Sequence, residues 1–162
     1  MNASAEFVAR SPGRVNLIGD HTDYTGGMVL PMAIDRFTTI TARPLEGAIQ
    51  LSSADQPDAL DSQLPIDNPA LTQPDWGRYV TGVAALLNVE RGFSGSVSTT
   101  LPLGGGLSSS AALELSTALM LSAINDLPAL NPLELAQLCR RAEHLAPVFH
   151  AELWINLLVP PG

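Results

Sequence analysis

The chain has 162 residues, 46% of them hydrophobic, which is enough for one domain with a buried core. Sixteen acidic residues against eight basic ones give a net charge of −8, which argues against a nucleic-acid surface and favours small partners. All eight basic residues are arginine, so the lysine-dependent Walker loop and the strand lysine of protein kinases are excluded; a nucleotide site here has to use backbone, hydroxyls and arginine.

In chain order, Phe7 to Ala9 reads as a short extended segment broken by a turn at Ser11, Pro12 and Gly13. Val15, Leu17 and Ile18 then suggest a buried strand that Gly19 ends. Asp20, His21, Thr22 and Asp23 crowd polar groups into a loop closed by Gly26 and Gly27; on their own they read equally as an Asx-rich turn or as a site. Met28 to Ala33 and Phe37 to Arg43 read as two further strands, with Ile49 to Ser52 as a hairpin partner. From Asp55 to Asp75 the composition turns to Pro, Asp, Gln and Asn, the mark of a surface excursion.

Trp76, Tyr79, Val80, Val83, Leu86 and Leu87 recur at helical spacing and predict an amphipathic packing helix that ends near Gly92. Ser96 to Leu101 alternates as a strand and delivers the chain to the stretch PLGGGLSSSAALE. There Gly104, Gly105 and Gly106 let a ligand approach the backbone. The helix that follows offers unpaired N–H groups, and Ser108, Ser109 and Ser110 add hydroxyls. A glycine turn with serine caps is the plain alternative to a phosphate loop. The helix itself is apolar nearly all round from Ala111 to Ala123 and should be central and buried. A third helix opens with Asn131 as N-cap and Pro132 at its first position. Leu135, Leu138, Cys139 and Ala142 form its inner stripe, and Glu143 lies beside them; on spacing alone it reads as a solvated helix-end carboxylate.

Cys139 is the only cysteine, which rules out an internal disulfide and a cysteine-built metal site; it reads as a small buried apolar residue. The start of the chain shows no secretory signal, and the most apolar run, Ala111 to Ile124, is too short and too interrupted to span a bilayer; a cytoplasmic location is the expectation. Irregular alternation of strands and helices predicts an α/β, two-layer α+β domain with a mixed sheet packed against helices.

Taken together, GRVNLIGDHTDYTGG and PLGGGLSSSAALE, with the Ser11-Pro12-Gly13-Arg14 entry and the passage at Leu30, Pro31, Ala33, Ile34 and Asp35, resemble the galactokinase branch of the GHMP small-molecule kinase family from about Phe7 to His144. The resemblance implies the family's N-terminal domain, ribosomal protein S5 domain 2-like, over residues 1–144. It further implies ATP and Mg2+ as cofactors and transfer of a phosphoryl group to the anomeric hydroxyl of galactose. By the same resemblance Arg14 stabilises transition-state charge. Asp20, His21, Thr22 and Asp23 bind the sugar, although Asp20 stands where the family has Glu and reaches one methylene less far. Gly104, Gly105, Gly106, Leu107, Ser108, Ser109 and Ser110 hold the nucleotide phosphates, and Ser110 and Glu143 hold the magnesium. The implied partners are galactose and ATP, with no nucleic acid and no membrane, in a protein that is a monomer at full length. N-acetylgalactosamine or arabinose as acceptor, and a non-catalytic galactose/ATP sensor, are the other readings that the resemblance leaves.

Past His144 the resemblance fails. The GIMDQ-like stretch whose aspartate acts as the family's base is missing, and residues 145–162 form an aberrant tail with the C-terminal domain absent. His144, His150 and Glu152 in and beside that tail fit no familiar metal-ligand spacing. One choice of codons for residues 147–161, read from its third base, spells GVPCGIMDQLASPA, with the Asp codon straddling those of Trp154 and Ile155. The expectation is a frameshifted tail and a chain with negligible kinase activity of its own.

Overall fold

The structure, a computed structural model, describes residues 5–19, 27–102 and 104–145. In chain order these form β1 (Phe7–Ile18), β2 (Leu30–Glu46), β3 (Ala48–Ser53), β4 (Leu60–Gln63), a 3-10 turn (Pro69–Leu71), α1 (Gly77–Leu87), β5 (Arg91–Thr99), α2 (Ser109–Ile124) and α3 (Pro132–Leu145). The strands make one five-stranded sheet in the order β1-β2-β5-β3-β4, antiparallel except for the parallel pair β3 and β5, and so mixed as expected.

Several expected boundaries move. Ser11-Pro12-Gly13 does not break β1, which pairs with β2 on both sides of it; the irregularity is a register shift between Pro12 and Arg14. Proline is tolerated because β1 is an edge strand with one side free of ladder bonds. The two strands expected from Met28 to Arg43 are one, because β2 runs on from Leu30 to Glu46, with partners in β1 or β5 at every position except 34–36, where the register shifts. β3 is not the hairpin partner of β2: β5 inserts between them, with Ile40 opposite Val97 on one side and Leu51 opposite Gly95 on the other. The polar excursion hides β4, whose Leu60 is among the most buried residues. α1 stops at Asn88, which takes the left-handed conformation at φ 49°, and Gly92 belongs to β5.

The helices and the sheet share one core. Ile40, Ile49, Leu51 and Phe93 from the strands meet Val80 and Val83 of α1, Ala118, Leu121 and Ile124 of α2 and Ala142 of α3. α2 is central, as its nearly uniform apolar surface requires: Ser116 Oγ donates to Thr38 O in β2 at 3.1 Å on one side, while α1 and α3 pack on it from the other. α3 begins with a capping box. Asn131 Oδ1 accepts from the N–H groups of Leu133 and Glu134 at 3.0 Å, and Glu134 Oε2 accepts from Asn131 N at 2.9 Å.

Candidate active site

β5 ends pinned to β2. Thr100 N donates to Phe37 O and Phe37 N to Thr100 Oγ1, both at 2.9 Å, which fixes the point where the glycine loop leaves the sheet. Gly104 and Gly106 take φ of 72° and 68°, in the left-handed region that L side chains seldom adopt. A Cβ at either would meet nothing within 4 Å, so their glycines answer to backbone conformation and leave open space above the loop. Ser108, at φ 60°, precedes α2 and makes no side-chain cap bond. The serines were expected to be able to cap this helix; instead its first-turn N–H groups carry no side-chain acceptor from the N-cap and can face an anion.

The N-terminal motif meets this loop directly. Arg14 N donates to Leu107 O at 3.1 Å. Next to it, a Cβ on Gly13 would lie 2.8 Å from Leu107 O and collide with the Leu101 side chain, so only glycine lets β1 approach so closely. Arg14 is therefore half-buried beside the loop, four positions before the end of β1 in its sequence of Arg14, Val15, Asn16, Leu17 and Ile18. Asp20, His21, Thr22 and Asp23, the predicted sugar-binding residues, lie outside the described residues; the strands that flank them are joined by the Ile18–Leu30 pair.

Ser110 is half-buried in the first turn of α2 and Glu143 exposed near the end of α3. A further acidic residue of α2 carries no motif signal in the sequence. Glu114 stands one turn after Ser110 on the same face of α2 and is 1% exposed. Burial, and then the negative charge of Glu143, push its carboxyl up to about 9. The same cluster raises its neighbours: burial, then Glu143 and Glu114, push Tyr79 of α1 up to about 12, and burial, then Glu114, do the same to Cys139 of α3. The signal available in the sequence was a lone carboxylate inside an otherwise apolar helix.

No group of three His, Cys, Asp or Glu side chains among the described residues could hold a metal ion. The Ser110 hydroxyl, the Glu143 carboxylate and the unpartnered Glu114 oxygen are oxygen donors of the kind a hard cation takes, with its remaining ligands from phosphate and water.

An open two-layer domain with a glycine-cradled helix start, and an arginine strand bonded to that cradle, is the N-terminal domain of a GHMP kinase. The family model described as GHMP kinases N terminal domain matches residues 78–150, and the one described as galactokinase galactose-binding signature matches residues 1–44. The chain belongs to the galactokinase family. It is 43% identical to a galactokinase of Bos taurus over 155 residues, covering 88% of this chain and 38% of that protein, and 42% identical to one of Pyrococcus furiosus, covering 86% and 40%. Among solved structures it is similar to Lactococcus lactis galactokinase complexed with galactose, at a TM-score of 0.79 and 32% identity over 91% of this chain and 40% of that one. A mevalonate kinase follows at a TM-score of 0.70 and 27% identity, covering 85% of this chain and 46% of that one. The chain thus spans about two-fifths of the length of the galactokinases it matches.

Proposed function

We propose that this chain is the ATP- and galactose-handling half of a galactokinase, which moves the γ-phosphoryl group of ATP to the anomeric hydroxyl of galactose. The observation that carries the reading is the backbone bond from Arg14 to Leu107, which joins the sugar-signature strand to the phosphate loop in one place. Gly104, Gly105, Gly106, Leu107, Ser108 and Ser109 cradle the phosphates with backbone N–H groups and hydroxyls, helped by the positive end of α2. Asp20, His21, Thr22 and Asp23 fix the sugar through its ring hydroxyls. In the transfer, the bond from the γ-phosphorus to its bridging oxygen breaks as one to the anomeric oxygen forms, and the hydroxyl proton passes to a carboxylate base, the role of the family's GIMDQ aspartate. Arg14 stabilises, through its planar guanidinium, the negative charge that builds on the phosphoryl oxygens. Ser110 and Glu143 would hold magnesium, which when bound neutralises phosphate charge.

Residues 144–162 contain no aspartate to take the hydroxyl proton. The 162-residue polypeptide is accordingly proposed to bind without appreciable turnover, its tail being a shifted reading frame. An ADP-release assay with galactose, N-acetylgalactosamine and arabinose tests the reading. Transfer to galactose in preference to the other two is expected from the frame-restored protein and negligible transfer from the chain as written. Turnover preferring another sugar would overturn the galactose assignment, and a coding sequence whose shifted frame does not spell GIMDQ would end the frameshift account.

A further inference from the structure

Glu114 is the only carboxylate in the buried core of the described residues, and its Oε1 has no hydrogen-bond partner there. Leaving a buried polar oxygen unpartnered is costly, a penalty that leucine or methionine would not incur at this place in an apolar helix. Its direction follows from the helix. Ser116 faces the sheet through its bond to Thr38 O, and two residues earlier the helix has turned by about 200°. Glu114 therefore points away from the sheet to the junction of α1 and α3, where Tyr79, Cys139 and Glu143 are its electrostatic neighbours. Ser110 lies one turn nearer the phosphate loop on that same face.

We propose that Glu114 is a positioning residue of the cation site, its unpartnered oxygen accepting a hydrogen bond from water on the ion held by Ser110 and Glu143. The inference rests on the magnesium–nucleotide reading above. Magnesium sheds its waters reluctantly, and carboxylates beyond the direct ligands orient what the ion holds. With so few protein ligands at hand among the described residues, such an oriented water would fix where the ion, and hence the phosphate chain, sits.

Calorimetric titration of the 162-residue chain with ADP, in magnesium and in EDTA, tests this. Magnesium should tighten ADP binding by the wild-type chain. Glu114→Met should lose about tenfold of that enhancement with its metal-free affinity unchanged, whereas Glu114→Gln, which keeps an acceptor oxygen, should retain it. A folded Glu114→Met chain with the full enhancement overturns the proposal. Should Glu114→Met fail to fold, the infrared difference spectrum on adding magnesium to the ADP complex decides. A carboxyl band that shifts in the wild type and is missing in Glu114→Gln supports the role, and no such band refutes it. A wild-type chain that binds ADP equally with and without magnesium removes the underlying reading as well.

Discussion

Gly104 and Gly106 hold left-handed angles with open space around them, so replacing either leaves the neighbours untouched and acts on the backbone alone. Gly106→Ala should cost about 1–2 kcal/mol from the left-handed angle. If the loop relaxes to avoid that strain, its N–H groups turn from the anion. A small loss in thermal midpoint with a large loss of ADP affinity is the expected pair of results, read by melting and calorimetry. Glu114 gives a prediction of different character. Its carboxyl holds its proton up to about pH 9 in the folded chain, facing Tyr79 from α1 and Cys139 and Glu143 from α3, whereas unfolded it would ionise near 4.5. Between those values the folded state binds the extra proton, so this group's contribution to stability falls as pH rises, by at most about 1.4 kcal/mol per unit. Urea unfolding in the absence of metal at pH 5, 7 and 8.5 should show that decline in the wild type and a flatter profile in Glu114→Gln, with the variant the more stable above neutrality.

At the scale of elements, α1 and α3 cross so closely that a Cβ on Gly82 would lie 2.9 Å from Ala142 O. Gly82→Val should separate them at a cost of about 1–3 kcal/mol and carry Glu143, the next residue of α3, away from Ser110. A lowered urea midpoint together with a weaker magnesium effect on ADP binding would register both consequences. Asn131→Ala removes the acceptor for two N–H groups and should cost about 1 kcal/mol with no effect on the metal-free nucleotide affinity, since the cap lies at the other end of α3 from Glu143. These helices were legible in the sequence because their signals are local: the apolar stripe through Leu138, Cys139 and Ala142, the asparagine–proline start, the apolar run after the serines. The sheet was less so. Whether β3 pairs with β2 or lets β5 between them depends on contacts across many residues, and neither strand's alternation encodes its neighbour. β4 was hidden because Asp61 and Gln63, on its open side, give a four-residue strand the composition of a loop. In the site, the loop and Arg14 could be read from motifs, whereas Glu114 could not be placed until Ser116 fixed which way α2 is turned.

Across the whole molecule, the apolar surface is unevenly distributed. At the end of the sheet where β1 leaves and β2 returns, Leu17, Ile18, Met28, Leu30 and Met32 are exposed by 46 to 93%, and the cross-strand pairs Ile18–Leu30 and Val15–Met32 bring two of them side by side with their partners. Single exposed apolar residues are ordinary, but several adjoining ones on an edge strand form a surface on which copies of a chain associate. With a net charge of −8 the chain as a whole repels its copies, so the patch should prevail only as salt screens that repulsion. The 162-residue chain should therefore sediment as larger species as concentration and ionic strength rise. The double substitution Leu30→Lys and Met32→Lys should suppress this, because it puts charge on two already exposed positions of β2 while the buried core is left unchanged. Its thermal midpoint should stay close to that of the wild type. If the doubly substituted chain associated as before with an unchanged midpoint, the patch would not be the cause. Association falling together with the midpoint would mean instead that these side chains support the hairpin that carries Arg14 to the phosphate loop.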